Sequence, residues 1–89
     1  MSEPELRDPL LEERQQTHGE FGVTAGISQA LKREFFKAEL SDIHRECLEM
    51  IAVKIARISA GDAKHRDHWD DIAGYAKLGA EACSEMAEG

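Results

Sequence analysis

Acidic side chains recur at helical spacing in two segments of this sequence. Glu46 and Glu49 are three residues apart and share one side of a helix, whereas Asp67 and Asp71 are four apart and share another. Two packed helices can bring such carboxylates together, and carboxylate oxygens bind Mg²⁺ next to substrate phosphates. A second interpretation involves no metal. In this interpretation, Glu46 and Glu49 simply face solvent, and the aspartates lie at a helix N-terminus, where the helix dipole favours a negative charge. Spacing alone favours this second interpretation over a magnesium site.

Lys54 lies in the apolar stretch IAVKIARI, residues 51–58, on the same helix side as Ile51 and Ile58. Because a buried ammonium without a partner is costly, Lys54 needs a carboxylate, a bound anion or a path to solvent. Two hypotheses follow and stay open at this point. Lys54 either pairs with Asp71 across a helix interface, or it faces a pocket and binds a phosphate.

Other candidate ligand-binding residues lie near predicted turns. His18 and Glu20 bracket a glycine, so this turn is either a ligand-contacting loop or only the end of a helix. Phe21 and Trp69 flank polar loops and could stack on a base. Arg66 belongs to a basic loop and could bind phosphate, although exposed loop cations are more often solvated. The predicted nucleotide-binding residues are therefore Lys54, Arg66, His18, Glu20, Phe21 and Trp69.

The composition favours a single all-α domain. The chain has 89 residues, of which 42% are hydrophobic and only five are aromatic, and it contains two prolines. We expect a flexible N-terminus over residues 1–7 and one helical domain over 8–89. That domain should contain a short helix after Asp8–Pro9 and three main helices. The second has Thr24 as its predicted N-cap, the central one begins at Ser41 or Asp42, and the last begins at Asp67.

Charge and hydropathy exclude several classes of partner. The net charge is −7, from 18 acidic and 11 basic residues, which disfavours direct binding of nucleic acid. No apolar run is long enough to span a membrane, and the two cysteines form no CxxC pair. We therefore expect a cytoplasmic protein with reduced thiols. Because helices this short leave apolar area uncovered, we also expect a homo-oligomer.

Four segments carry a resemblance to known proteins. RQQTHGEF, ISQALKR, HRECLEMIAVKIARI and HWDDIAGYAKL resemble motifs of small bacteriophage and prophage proteins, over about residues 11–82. Those proteins are mostly domains of unknown function and are similar to nucleotide-modification-associated domains of phages. More distantly, they resemble the all-α, MazG-like nucleoside triphosphate pyrophosphohydrolases. The resemblance implies a MazG-like antiparallel pair formed by the central and last helices.

The MazG-like resemblance also implies a ligand set for magnesium. That superfamily holds the metal with an EExxE motif on one helix and an ExxD motif on the next. Glu46 and Glu49 match the second half of the first motif, and Asp71 matches the last residue of the second. A basic residue replaces one acid of the first motif, and His68 stands at the first acid of the second, where Asp67 is the candidate substitute.

Two functions are consistent with these observations. The first is a phage-encoded, nucleotide-handling protein, with magnesium-dependent pyrophosphohydrolase activity as its catalytic form. The alternative is a non-enzymatic, acidic phage accessory protein in the host cytoplasm. Such a protein would inhibit a host defence enzyme or nucleic-acid enzyme, or would sequester a nucleotide signal. The partner is accordingly a nucleotide or a host protein.

Overall fold

The chain folds into four helices and, within the part described, no strand. The computed structural model describes residues 8–88 and the side chains of residues 8–86, so the predicted flexible segment 1–7 lies outside it. The helices are α1 (Pro9–His18), α2 (Phe21–Glu34), α3 (Asp42–Ala60) and α4 (Arg66–Glu88). The predicted all-α class, with a short first helix and three longer ones, is confirmed. Within the same residues, no helix is long and apolar enough to cross a membrane.

Side-chain caps fix where α1 and α3 begin. The Asp8 carboxylate accepts a hydrogen bond from the Leu10 N–H at 2.9 Å, and Pro9 follows at the first helical position. Ser41 Oγ accepts from the His44 N–H at 3.0 Å. Ser41, rather than Asp42, is therefore the N-cap of α3, because its oxygen satisfies an N–H that has no partner within the helix.

The predicted cap of α2 is wrong. The helix begins at Phe21, and Glu20 is an N-cap without a side-chain hydrogen bond. Thr24 is buried one turn inside, and its hydroxyl lies 2.9 Å from the carbonyl oxygen of His18 and 3.0 Å from that of Glu20. Thr24 therefore ties the α1–α2 turn to the first turn of α2, a role that its spacing from the apolar positions did not reveal.

Helix α3 is central, as its wide apolar side predicted. It packs against α1, α2 and α4, whereas within residues 8–88 α2 does not contact α4, and α1 meets α4 at His68, next to Thr17 and His18. Helices α2, α3 and α4 therefore lie side by side in one layer. The smallest dimension of the molecule is 17 Å, about one and a half times the diameter of a single helix, which is about 10–12 Å.

Helices α3 and α4 are antiparallel. His44 Nε2 lies 2.9 Å from the Gly79 carbonyl oxygen, and Lys54 Nζ lies 2.9 Å from Asp71 Oδ2. Residues later in α3 therefore contact residues earlier in α4. This register decides which of the predicted site residues meet.

Candidate functional site

The turn between α1 and α2 packs directly against the end of α3. Gly19 has φ 85°, and a Cβ there would lie 2.6 Å from the backbone carbon of Ala60. A Cβ at Gly61 would overlap the carbonyl oxygen of Thr17, and the Asp62 N–H donates to that oxygen at 3.1 Å. Both glycines are therefore needed for a backbone-to-backbone contact, which fixes the orientation of the turn.

Three histidines surround this turn. His68 is 2% exposed, and its Nε2 lies 3.0 Å from the Thr17 carbonyl oxygen. Because a carbonyl only accepts, this nitrogen carries the proton and donates. The His68 ring centroid lies 5.0 Å from that of His18 and 4.7 Å from that of His65. The THG and HW motifs, distant in sequence, thus form one structural unit.

A cavity of about 590 Å³, which we call the α1–α2 pocket, opens beside this unit. Its walls come from α1, α2, the turn between them and one side of α3. The polar wall includes Gln15, Thr24, Ser28 and Gln29. The charged, imidazole and aromatic side chains of the lining are Arg14, His18, Glu20, Phe21, Lys32 and Arg57.

The α1–α2 pocket is cationic in an otherwise acidic chain. Arg14 comes from α1, Lys32 from α2 and Arg57 from α3, and Glu20 is the one carboxylate among the lining residues. The whole chain carries a net charge of −7. Local basic charge against that background indicates a site that attracts anions.

His18 responds to the same positive environment. The pKa of His18 is lowered from 6.5 to about 4. Burial of the imidazole is the largest cause, and the positive charges of Arg57, His68, Arg14 and His65 lower the pKa further. His18 is therefore neutral near pH 7 when the pocket is empty. A bound anion would oppose the effect of the arginines and raise this pKa.

The low pKa of His18 predicts a loss of stability in mild acid. Between pH 6.5 and about 4, the unfolded chain takes up a proton at this residue while the folded chain does not. The free energy of unfolding should therefore fall as the pH drops through this window and show no further loss from His18 below it. Urea unfolding of the native protein and of His18→Gln measures this, because the variant lacks the contribution. An equal pH dependence for both proteins would contradict the assignment.

Half of the predicted nucleotide-binding residues line the α1–α2 pocket and half do not. His18, Glu20 and Phe21 are at the pocket. Arg66 instead pairs with Asp70 at 3.3 Å on the surface of α4. The Trp69 indole N–H donates to the Ala63 carbonyl at 2.8 Å, and Lys54 is engaged by Asp71.

The Lys54–Asp71 pair decides between the two hypotheses for Lys54. Its ammonium lies 2.9 Å from Asp71 Oδ2, with the lysine side chain 11% exposed and the aspartate side chain 46% exposed. The hydrogen bond and charge of Lys54 lower the pKa of Asp71 below its usual value. Lys54 is thus a residue that fixes the α3–α4 register rather than a ligand of the α1–α2 pocket.

The unequal exposure of this pair predicts unequal effects of mutation. Asp71→Asn leaves a mostly buried ammonium without its counter-charge, whereas Lys54→Met leaves an aspartate that water can reach. We therefore expect Asp71→Asn to lower the melting temperature more than Lys54→Met does.

The same ion pair predicts a loss of stability in acid. Because the pKa of Asp71 is lowered, its contribution to the free energy of unfolding is present above pH 3.8 and is lost as the pH falls through the folded-state pKa. Thermal unfolding across acid pH should show this loss in the native protein and not in Lys54→Met.

The four acids predicted to bind magnesium do not form a cluster. Among the described residues, no three His, Cys, Asp or Glu side chains are grouped as a metal ion requires. Glu46 precedes Lys54, the partner of Asp71, by eight residues, which is about 12 Å along a helix. The Asp67 side chain is 80% exposed and lies 3.7 Å from His65 Nε2, and Glu49 is half-buried on α3. Magnesium binding therefore stays a prediction.

Glu46 belongs to a second depression, which we call the acidic groove. It lies between the start of α3 and the second half of α4, with a volume of about 410 Å³. Four carboxylates surround an apolar floor, and the lining contains no cation. The carboxylates are those of Asp42, Glu46, Glu81 and Glu85, and the floor includes Ile43, Tyr75 and Leu78.

Sequence reasoning missed the three cations of the α1–α2 pocket. The sequence did contain a signal for two of them. Arg14 precedes the pocket residue His18 by four positions, and Lys32 follows the pocket residue Ser28 by four positions, so each pair shares a helix side. Arg57 lies in the last turn of α3, where a cation is also expected because it interacts favourably with the helix dipole. Only the packing of α1 and α2 on α3 shows that the three side chains converge.

Comparison with protein families gives one match. The model of the family described as Domain of unknown function (DUF6378) matches residues 6–83. Comparison with curated proteins and with solved structures finds no significant match. The match spans the THG turn, the cations of the α1–α2 pocket and most of α4.

Proposed function

The chain belongs to the DUF6378 family of domains of unknown function, and we propose that it binds the phosphate groups of a nucleotide in the α1–α2 pocket. The observation that carries the proposal is the convergence of three cations on one cavity. Arg14, Lys32 and Arg57 come from three different helices and all line it. Guanidinium and ammonium groups donate strong, charge-assisted hydrogen bonds to phosphate oxygens.

The electrostatics of His18 support an anionic ligand. Arg57 and Arg14 both lower its pKa, so the field at the imidazole is positive. A phosphate bound between the arginines would remove part of that field and accept a hydrogen bond from a protonated imidazole. Ligand binding would then be coupled to proton uptake by His18 below neutral pH.

The size and rim of the pocket fit more than inorganic phosphate. Its volume of about 590 Å³ lies within the range of about 300–1,000 Å³ that small-molecule sites occupy. Phe21 is 84% exposed and lines the opening, where it can stack on a base. Gln15 and Gln29 offer amide groups that can donate to and accept from a base edge.

Binding without turnover is the form of this function that the residues support best. It corresponds to a protein that sequesters a nucleotide signal. Pyrophosphohydrolase activity with magnesium stays a prediction, because Glu46 and Asp71, two of its expected ligands, are not among the lining residues of the α1–α2 pocket. A phage origin and a MazG-like relationship also stay proposals that rest on the resemblance of the motifs.

Calorimetric titration of the native protein tests the proposal. ATP, pyrophosphate and adenosine are titrated separately, first with EDTA and then with magnesium. We expect ATP and pyrophosphate to bind, and adenosine to bind at least about 100-fold more weakly, because it lacks the charged groups. Equal binding of ATP and adenosine, or no binding of any of the three at millimolar concentration, would contradict the proposal. Release of pyrophosphate from ATP in the magnesium series separately tests for hydrolysis.

A second candidate function has one observation in its favour. The acidic groove combines four carboxylates with an apolar floor, a surface that suits a basic protein segment with apolar side chains. We propose inhibition of a host enzyme through this groove as the alternative. Charge reversal by Glu81→Arg and Glu85→Arg should abolish such inhibition and leave nucleotide binding unchanged. Inhibition that survives both reversals would contradict the alternative.

A further inference from the structure

One side of the helical layer carries the charged residues of both cavities. On α3, Glu46 lines the acidic groove, and Val53 and Arg57 line the α1–α2 pocket. At about 100° per residue, Leu48 and Ile55 lie on the opposite side of this helix. The layer therefore has a functional face and a reverse face, which we call the apolar face.

Among the described side chains of α3 and α4, none at the centre of the apolar face is charged, and Arg45 and Lys77 lie at its edges, three residues before Leu48 and Ala80. Leu48 and Ile55 are 38% and 39% exposed, although both are large hydrophobic residues. On α4, the exposed Ala76 and Ala80 lie on the side turned away from Leu78 and Glu85 of the acidic groove. Small residues on one helix and branched residues on the next make a surface that another helical layer can approach closely.

A single layer of helices does not complete a domain core. Stable domains bury the apolar side of one layer against a second layer. The buried hydrophobic residues of the described chain are Cys47, Ala52, Ala56 and Ala82, all of them small. The core of one chain is thus thin, and the large side chains Leu48 and Ile55 stay partly in water.

We propose that a second copy of this chain packs on the apolar face, so that two layers form a symmetric dimer. The centre of the face is uncharged, so a second copy can pack there without burying a charge, although each chain carries a net charge of −7. Helices α3 and α4 have 19 and 23 residues, so at about 1.5 Å per residue and about 10 Å per helix their shared face has an outline of about 30 by 20 Å, or about 600 Å². That matches the lower end of specific interfaces, which bury about 1,200–2,000 Å² over both partners. A two-fold contact uses the same patch on both copies.

Sedimentation equilibrium of the native protein and of Ala76→Arg tests this dimer, without any nucleotide. The native protein should sediment with twice the 9.9 kDa mass of a single chain. Because Ala76 is exposed in a single chain, its substitution should leave the helical circular dichroism spectrum unchanged. Two added guanidinium groups in one interface should raise the dissociation constant about 100-fold or more.

Gly74→Arg is the control, since the added group is the same, Gly74 is exposed and nothing lies within 4 Å of a Cβ added there. Gly74 is four residues before Leu78 of the acidic groove and therefore lies on the side of α4 turned away from Ala76. It should remain dimeric. A native protein that stays monomeric at high micromolar concentration would overturn the proposal, as would an Ala76→Arg variant with the native mass. Dissociation by Glu81→Arg instead of Ala76→Arg would overturn it too, and would assign the contact to the acidic groove.

Discussion

Gly19→Ala is expected to lower the free energy of unfolding by about 3 kcal/mol or more. At φ 85° an alanine is strained, and its Cβ would lie 2.6 Å from the Ala60 backbone. The α1–α2 turn must then move away from the end of α3. Because this turn carries His18 and borders the α1–α2 pocket, nucleotide affinity should fall together with stability. Urea unfolding, followed by circular dichroism, measures the first effect.

Gly26→Ala is the matched control for that substitution. Gly26 lies inside α2, and nothing lies within 4 Å of a Cβ added there. Alanine should therefore stabilise the protein by about 0.5–1 kcal/mol, because it restricts the unfolded chain and favours the helix. If both variants lost stability equally, the close contact at Gly19 would not be the cause.

Arg57→Gln is expected to weaken ATP binding by about 10- to 150-fold, since a hydrogen bond to a charged group contributes about 1.5–3 kcal/mol. Arg57 lines the α1–α2 pocket from α3, and of the neighbouring charges it lowers the pKa of His18 the most. The same substitution should therefore raise the His18 pKa of the free protein. Calorimetry gives the affinity, and NMR titration of the imidazole gives the pKa.

A paired substitution on α2 separates a site effect from a general charge effect. Lys32 lines the α1–α2 pocket, whereas the neighbouring Arg33 is exposed and does not. Lys32→Gln should weaken ATP binding and Arg33→Gln should not, although both remove one positive charge. A similar loss in the two variants would indicate a diffuse electrostatic attraction rather than a built site.

The sequence predicted those features that depend on one helix at a time. The apolar period of α3, the cap at Ser41 or Asp42 and the end near Gly61 follow from local patterns. The pairing of Lys54 with Asp71 was one of the two hypotheses derived from the sequence, because a buried ammonium needs a counter-charge or a bound anion. One contact in an antiparallel pair, Lys54 with Asp71, then fixes the register.

Features that depend on how helices meet were not predictable. The magnesium hypothesis assumed that Glu46 and Asp71 come close, but the observed register sets Glu46 beside the second half of α4. The convergence of the three cations on the α1–α2 pocket could not be predicted either, because helix periodicity does not show which side of α1 packs on α2 and α3. Gly19 and Gly61 likewise stand out only once the two backbones are seen in contact.

The most direct test of the central claim is the NMR titration of His18 with and without saturating pyrophosphate. In the free protein the pKa should be about 4, with burial as the largest cause, followed by the charges of Arg57, His68 and Arg14. With phosphate groups bound between Arg14 and Arg57, it should rise by at least about one unit, which corresponds to about 1.4 kcal/mol of favourable interaction with the protonated ring. A His18 pKa that stays near 4 at saturation would mean that phosphate does not bind in the α1–α2 pocket.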